Sequence, residues 1–167
     1  MIVLKLIYTI VGIFLFLFLE SLFSSLLGIN IAFVLFLFLY RKVDWKILFT
    51  IMFIICLIID VTSHFMLGTN FLTALIALVF FSLASIFFST EVGILSWSVK
   101  FFTLLVYYIL FSILPSLFLN RAFSPVTSEE LRNCVLYSVI SLIIIILCEI
   151  FSGKFRKEGN RSNIKLS

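Results

Sequence analysis

An all-α integral membrane protein, built as a six-transmembrane-helix bundle, is the fold class the sequence predicts. Three observations predict it. The chain is 63% hydrophobic with only 12% charged residues, its apolar residues gather into six runs, and ten of its twelve cations fall on one side of an alternating path through those runs. Soluble domains run at roughly 45–50% apolar and about 25% charged. A chain of 167 residues with mean hydropathy +1.32 has too little polar surface to cover a water-soluble core. No polar stretch is long enough to fold alone, so residues 1–152 read as one transmembrane domain and residues 153–167 as a basic, disordered cytoplasmic tail.

The runs are Leu6–Leu27, Ile29–Tyr40, Ile47–Phe65, Phe71–Phe88, Trp97–Leu119 and Leu131–Phe151. A spanning helix needs about 20 apolar residues. Five runs meet that length, and the second does so only by borrowing Ser24–Gly28. Lys5 before the first run resembles a signal peptide, yet the run lacks a small-residue cleavage site and continues to Leu27, which reads as an uncleaved helix. With the N-terminus in the cytoplasm, Lys5, Arg41, Lys42, Lys46, Lys100 and the cations of the tail all fall inside; only Arg121 and Arg132 fall outside, offset by Glu129 and Glu130. Removing the second helix would put Lys42 and Lys46 opposite Lys5, so the rule favours six helices with both ends cytoplasmic.

Local signals agree. Thr127 and Glu130 stand at capping-box spacing before the sixth run. Ala74, Ala77, Ala84 and Ser85 share one face of the fourth helix, which predicts close helix approach and a central place in the bundle. Trp45 and Trp97 sit beside cytoplasmic cations, as interface anchors do. Pro115 falls late in the fifth helix, where neighbours can satisfy the carbonyl it frees. The 22 Phe residues read as a compositional choice that lipid accepts, not as a stacking device. Cys56, Cys134 and Cys148 lie singly inside apolar runs, which fits packing residues. With one histidine in the chain, a zinc or haem site is not expected, and neither a cofactor nor a nucleic-acid partner is expected.

The chemistry gathers at Asp60-Val61-Thr62-Ser63-His64 and the Gly68-Thr69-Asn70 that follow. An acid at membrane depth costs about 2.5–3.5 kcal/mol on insertion scales, so it calls for a partner or a role. At 1.5 Å per residue Asp60 falls about 7–8 Å below the outer surface, and it can accept from Ser63 or His64 on its own face of the helix or from donors on another helix. Gly68 and Asn70 both tolerate left-handed backbone and suit a tight turn. Three readings are open for Asp60: it satisfies helix ends, it forms a proton or ligand site, or it marks a contact surface for another membrane protein. Intramembrane aspartyl chemistry needs two facing acids, and Asp44 sits at the opposite end of the third helix. Glu20, flanked by Ser21, Ser24 and Ser25, is the other buried acid; Glu149 is placed to meet the basic tail.

The Asp60…Ser63 pair followed in register by Leu67-Gly68-Thr69-Asn70 resembles the rod shape-determining protein MreD family. There the third helix ends in Asp-x-x-Ser before a Pro-Leu-Gly-x-Asn turn. Met66 stands where the family has proline, and no Pro-Asp occurs around Gly28-Ile29-Asn30. A polar residue late in the first helix (Glu20), a short connection and a basic loop after the second helix (Arg41, Lys42, Lys46) also fit. The resemblance implies a non-enzymatic scaffold that binds the bitopic protein MreC. It also implies a place beside MreB, RodA and a class B penicillin-binding protein in the cell-elongation machinery, in contact with membrane lipid. It implies that Glu20, Asp60, Ser63, Gly68 and Asn70 are structural or partner-contact residues. The family's fold resembles the substrate-binding subunit of energy-coupling-factor vitamin transporters, which supplies the rival expectation of a small-molecule pocket.

Overall fold

The computed structural model describes residues 2–40, 42–63, 65–88, 94–120 and 126–164, with side chains described for 11–40, 42–63, 65–88, 95–118 and 126–152. Every described element is a helix: α1 (Ile2–Leu27), α2 (Ile31–Leu39), α3 (Trp45–Thr62), α4 (Thr69–Phe87), α5 (Ile94–Asn120) and α6 (Ser128–Ile164). Helices are what a chain this apolar must form, because lipid offers no partner for a free N–H or C=O.

The helices do not all span. α3, α4, α5 and α6 are each long and apolar enough to cross a membrane, and a fifth crossing arises only if α1 and α2 count as one bent span. α2 has nine residues; at 1.5 Å each it covers about 14 Å, half of a hydrocarbon core of about 30 Å. Among the described residues six helices are present, and four of them, or five with the bent pair, are long and apolar enough to cross a membrane. α1 and α2 meet at a break with a 114° bend.

The break lies inside the bundle. A Cβ at Gly28 would stand 2.8 Å from the Tyr137 hydroxyl oxygen of α6. The Asn30 backbone N–H faces the Tyr108 hydroxyl, halfway along α5. From there α2 runs to the end of the bundle where Tyr40 bonds Ser82 at 2.6 Å and Lys42 donates to Ser152 at 3.2 Å. Five of its nine residues (Ala32, Phe33, Val34, Phe36 and Leu37) are buried. Phe33 stacks on Tyr107 with ring centres 3.9 Å apart. This half-length helix is thus more than half buried within the bundle. α4 does use its small face: Ala74 and Ala77 are buried where it packs between α3 and α5.

α1 is peripheral. Among its described side chains Glu20 alone is buried, while Phe14, Leu15 and Phe18 are exposed. A helix apolar on every side and exposed on nearly every side is solvated by lipid. At the other end of the chain, α6 begins with the capping box that was expected: the Thr127 N–H donates to Glu130 at 2.9 Å and the Glu130 N–H to Thr127 at 3.3 Å. α6 runs from Ser128 to Ile164. Lys154, Arg156 and Lys157 are good helix formers, and Gly153 alone costs only about 1 kcal/mol.

Glu149 pairs with Lys100 of α5. The two are largely shielded, so an unpaired charge there would be costly. Lys100→Gln is expected to destabilise the protein by about 2 kcal/mol, and the swap Lys100→Glu with Glu149→Lys to restore most of it. Thermal unfolding of the single and double variants measures this.

Candidate functional site

The site forms where α3 turns into α4. Asp60 is fully buried. One carboxylate oxygen accepts the Gly68 N–H at 2.7 Å; the other accepts the Asn70 N–H at 3.0 Å and the Asn70 Nδ2 at 2.8 Å. The first turn of a helix leaves N–H groups without intrahelical partners, and anions are favoured there by the helix dipole. Asp60 supplies the anion from the preceding helix. Gly68 makes the geometry possible with φ +92°, ψ −4°, a left-handed conformation that puts its N–H and that of Asn70 on the same carboxylate.

Of the donors the sequence leaves open, those of the next helix are the ones used. Ser63 is the exposed C-terminal residue of α3, its N–H bonded back to Ile59 and Val61, and it does not reach Asp60. His64 lies outside the described residues. Asn70 is helical, in the first turn of α4, so of the two turn candidates only Gly68 uses the left-handed region. Asn70 Oδ1 is buried without a hydrogen-bond partner among the described residues.

Glu20 does for α2 what Asp60 does for α4. It is buried, its carboxylate accepts the Ala32 N–H at 2.8 Å, and it also faces the Ile31 N–H. Asn30 completes the cap by accepting the Phe33 N–H at 2.9 Å. Gly28 holds φ +66°.

The two arrangements share one register. Gly28 and Asn30 follow Glu20 at eight and ten residues, as Gly68 and Asn70 follow Asp60, and the whole set recurs at an offset of forty residues. Leu27 and Leu67 match as well. α1–α2 and α3–α4 are therefore two versions of one unit: a helix carrying an acid, a left-handed glycine, and a second helix capped by that acid. The acid-x7-Gly-x-Asn pattern is visible in the sequence, and a search for self-similarity at fixed offset finds it. Reading the runs one at a time missed Gly28 and Asn30.

The copies differ in enclosure. Asp60 is sealed. Glu20 borders a cavity of about 380 Å³ between the ends of α1 and α3, the start of α2 and the middle of α5. Ser21, Ser24, Ser25 and Ser63 line it, which is where the serines around Glu20 and the Ser63 of the motif are brought together.

Fold and site together define a class: a helical, multi-pass membrane protein whose two buried acids are committed to the backbone of its own helix turns. Comparison with protein-family models, with curated proteins and with solved structures returned no match.

Proposed function

We propose that the chain is a non-enzymatic scaffold of the bacterial cell-elongation complex, of the rod shape-determining MreD type. In this reading it lies in the cytoplasmic membrane with both ends inside and binds the transmembrane helix of an MreC-like protein. The observation that carries it is the use made of Asp60. Both oxygens are occupied by donors of the α3–α4 turn, so the acid organises a surface. The motif positions Asp60, Gly68 and Asn70 converge on that one bond network, and only Ser63 stands apart. Beside the turn, Leu72, Ile76, Val79 and Leu83 form an exposed stripe along α4 at helical spacing, a surface on which a second membrane helix can lie.

The test is co-purification. Wild-type protein is expected to retain MreC, and Ile76→Trp with Val79→Trp, both exposed and hence tolerated by the fold, to lose at least about tenfold of it, since bulky side chains block close helix approach. Wild-type retention by this variant would overturn the placement on α4, and failure of the wild type to bind MreC would overturn the scaffold reading.

A second reading, the substrate-binding subunit of an energy-coupling-factor-type vitamin transporter, is favoured by the polar cavity beside Glu20, since such sites need convergent polar groups. A vitamin retained through purification, together with assembly on transporter ATPases, would establish it instead.

A further inference from the structure

Capping α2 does not require the cavity beside Glu20. Asp60 performs the same task in the second copy of the unit while fully enclosed. In the first copy the carboxylate is left on the wall of a cavity of about 380 Å³, within the range of small-molecule sites.

The lining has a definite polarity. Besides Glu20 it offers the hydroxyls of Ser21, Ser24, Ser25 and Ser63, none of which bonds another described residue. Among the described residues no lysine or arginine borders it and no cation pairs with Glu20. α1 and α3 both end at this cavity, at Leu27 and Thr62, and helix C-termini carry partial negative charge. The one helix N-terminus present, that of α2, is already answered by Glu20 and Asn30. The rings of Phe65 and Phe111 close another side.

We propose that this cavity binds an organic ammonium group. The Glu20 carboxylate supplies the charge and the serine hydroxyls accept the N–H donors. The aromatic walls favour a cation as well. Among the described residues a phosphate or carboxylate group finds no cation here and meets one carboxylate and two helix C-termini, so an ammonium group is favoured over an anion. The same chemistry could arrive as the head group of an ethanolamine lipid or as a free amine. The inference is independent of the rod-complex reading, because it concerns the α1–α3 cavity and not the α4 stripe.

The experiment uses the full chain, reconstituted in nanodiscs of equal phosphatidylethanolamine and phosphatidylglycerol. Native mass spectrometry after release identifies retained lipid, and free ethanolamine is titrated against the melting temperature. Two variants are compared. Glu20→Gln keeps a carbonyl acceptor for the Ala32 N–H and removes the charge. Ser24→Leu with Ser63→Leu, both exposed, fills the cavity and leaves Glu20 intact; it decides alone if Glu20→Gln fails to fold. Retention of phosphatidylethanolamine over phosphatidylglycerol, reduced at least about tenfold in the variants, supports a lipid head group as the source. Saturable stabilisation by ethanolamine without lipid retention, lost in the variants, supports a soluble amine. Equal retention of both lipids with no response to ethanolamine, or a response undiminished in both variants, overturns the proposal.

Discussion

Asp60→Ala is expected to lower the unfolding free energy by about 4 kcal/mol, more than any other single side-chain truncation in the protein. The change removes the acceptor of three donors at once, the N–H groups of Gly68 and Asn70 and the Asn70 amide. Each buried donor left unmade costs about 1–3 kcal/mol, and no water replaces the acceptor inside the sealed turn. Asp60→Asn should recover only part, about 2 kcal/mol, because its amide offers one acceptor and turns an NH₂ toward N–H donors. Glu20→Ala should cost less than Asp60→Ala, about 2 kcal/mol, since the cavity beside it admits water to the exposed donors. Equilibrium unfolding in mixed micelles, followed by circular dichroism, ranks the three. An Asp60→Ala protein within about 0.5 kcal/mol of wild type would contradict the capping role.

Much of this was legible in the chain, and the parts that were not share a cause. Helical class follows from composition, and the capping box of α6 from Thr127 and Glu130 alone, because both are local. Asp60 was marked as anomalous by its cost, and Gly68 as a turn residue by its chemistry. What local reading left open was the donor, between Ser63, His64 and another helix. Ser63 and His64 share a helix face with Asp60, yet a carboxylate on the last turn faces the next helix, whose free N–H groups are better donors than a hydroxyl that can turn to its own backbone. Lys100, the partner of Glu149, was not legible for the same reason: it is distant in sequence and adjacent only after α5 and α6 pack.

The charge rule can be satisfied by more than one path of the chain. It requires Lys5 and the Lys42–Lys46 loop to lie on one side, and two full spans are one way to arrange that. A helix that enters, breaks at mid-depth and returns is another. α2, starting beside Tyr108 and ending beside Ser152, has the length for the return only. Such a break is tolerated at depth when its freed backbone is satisfied by protein, and Glu20 and Asn30 provide this at the cost of one buried acid. The energetic anomaly of the acid and the shortness of α2 are thus one fact.

Gly28→Ala tests that arrangement where it is tightest. Gly28 holds φ +66°, and an added Cβ would stand 2.8 Å from the Tyr137 hydroxyl oxygen and closer still to ring carbons Cε1 and Cζ. Left-handed backbone costs an L-residue about 1–2 kcal/mol, and displacing a half-buried ring held against Tyr108, with ring centres 5.7 Å apart, adds about 1–3 kcal/mol for overpacking. The expected loss is about 3 kcal/mol. Gly68→Ala isolates the first contribution: φ is +92° and nothing lies within 4 Å of its Cβ, so a loss of about 1 kcal/mol is expected. Tyr137→Val should then restore Gly28→Ala to the Gly68→Ala level when the two changes are combined, because only the clash depends on Tyr137. Equal losses for the two glycine variants, with no coupling to Tyr137, would mean that the helix break does not rest on α6. The place of the α1–α2 break against α6, and the cavity that depends on it, would fall with that contact.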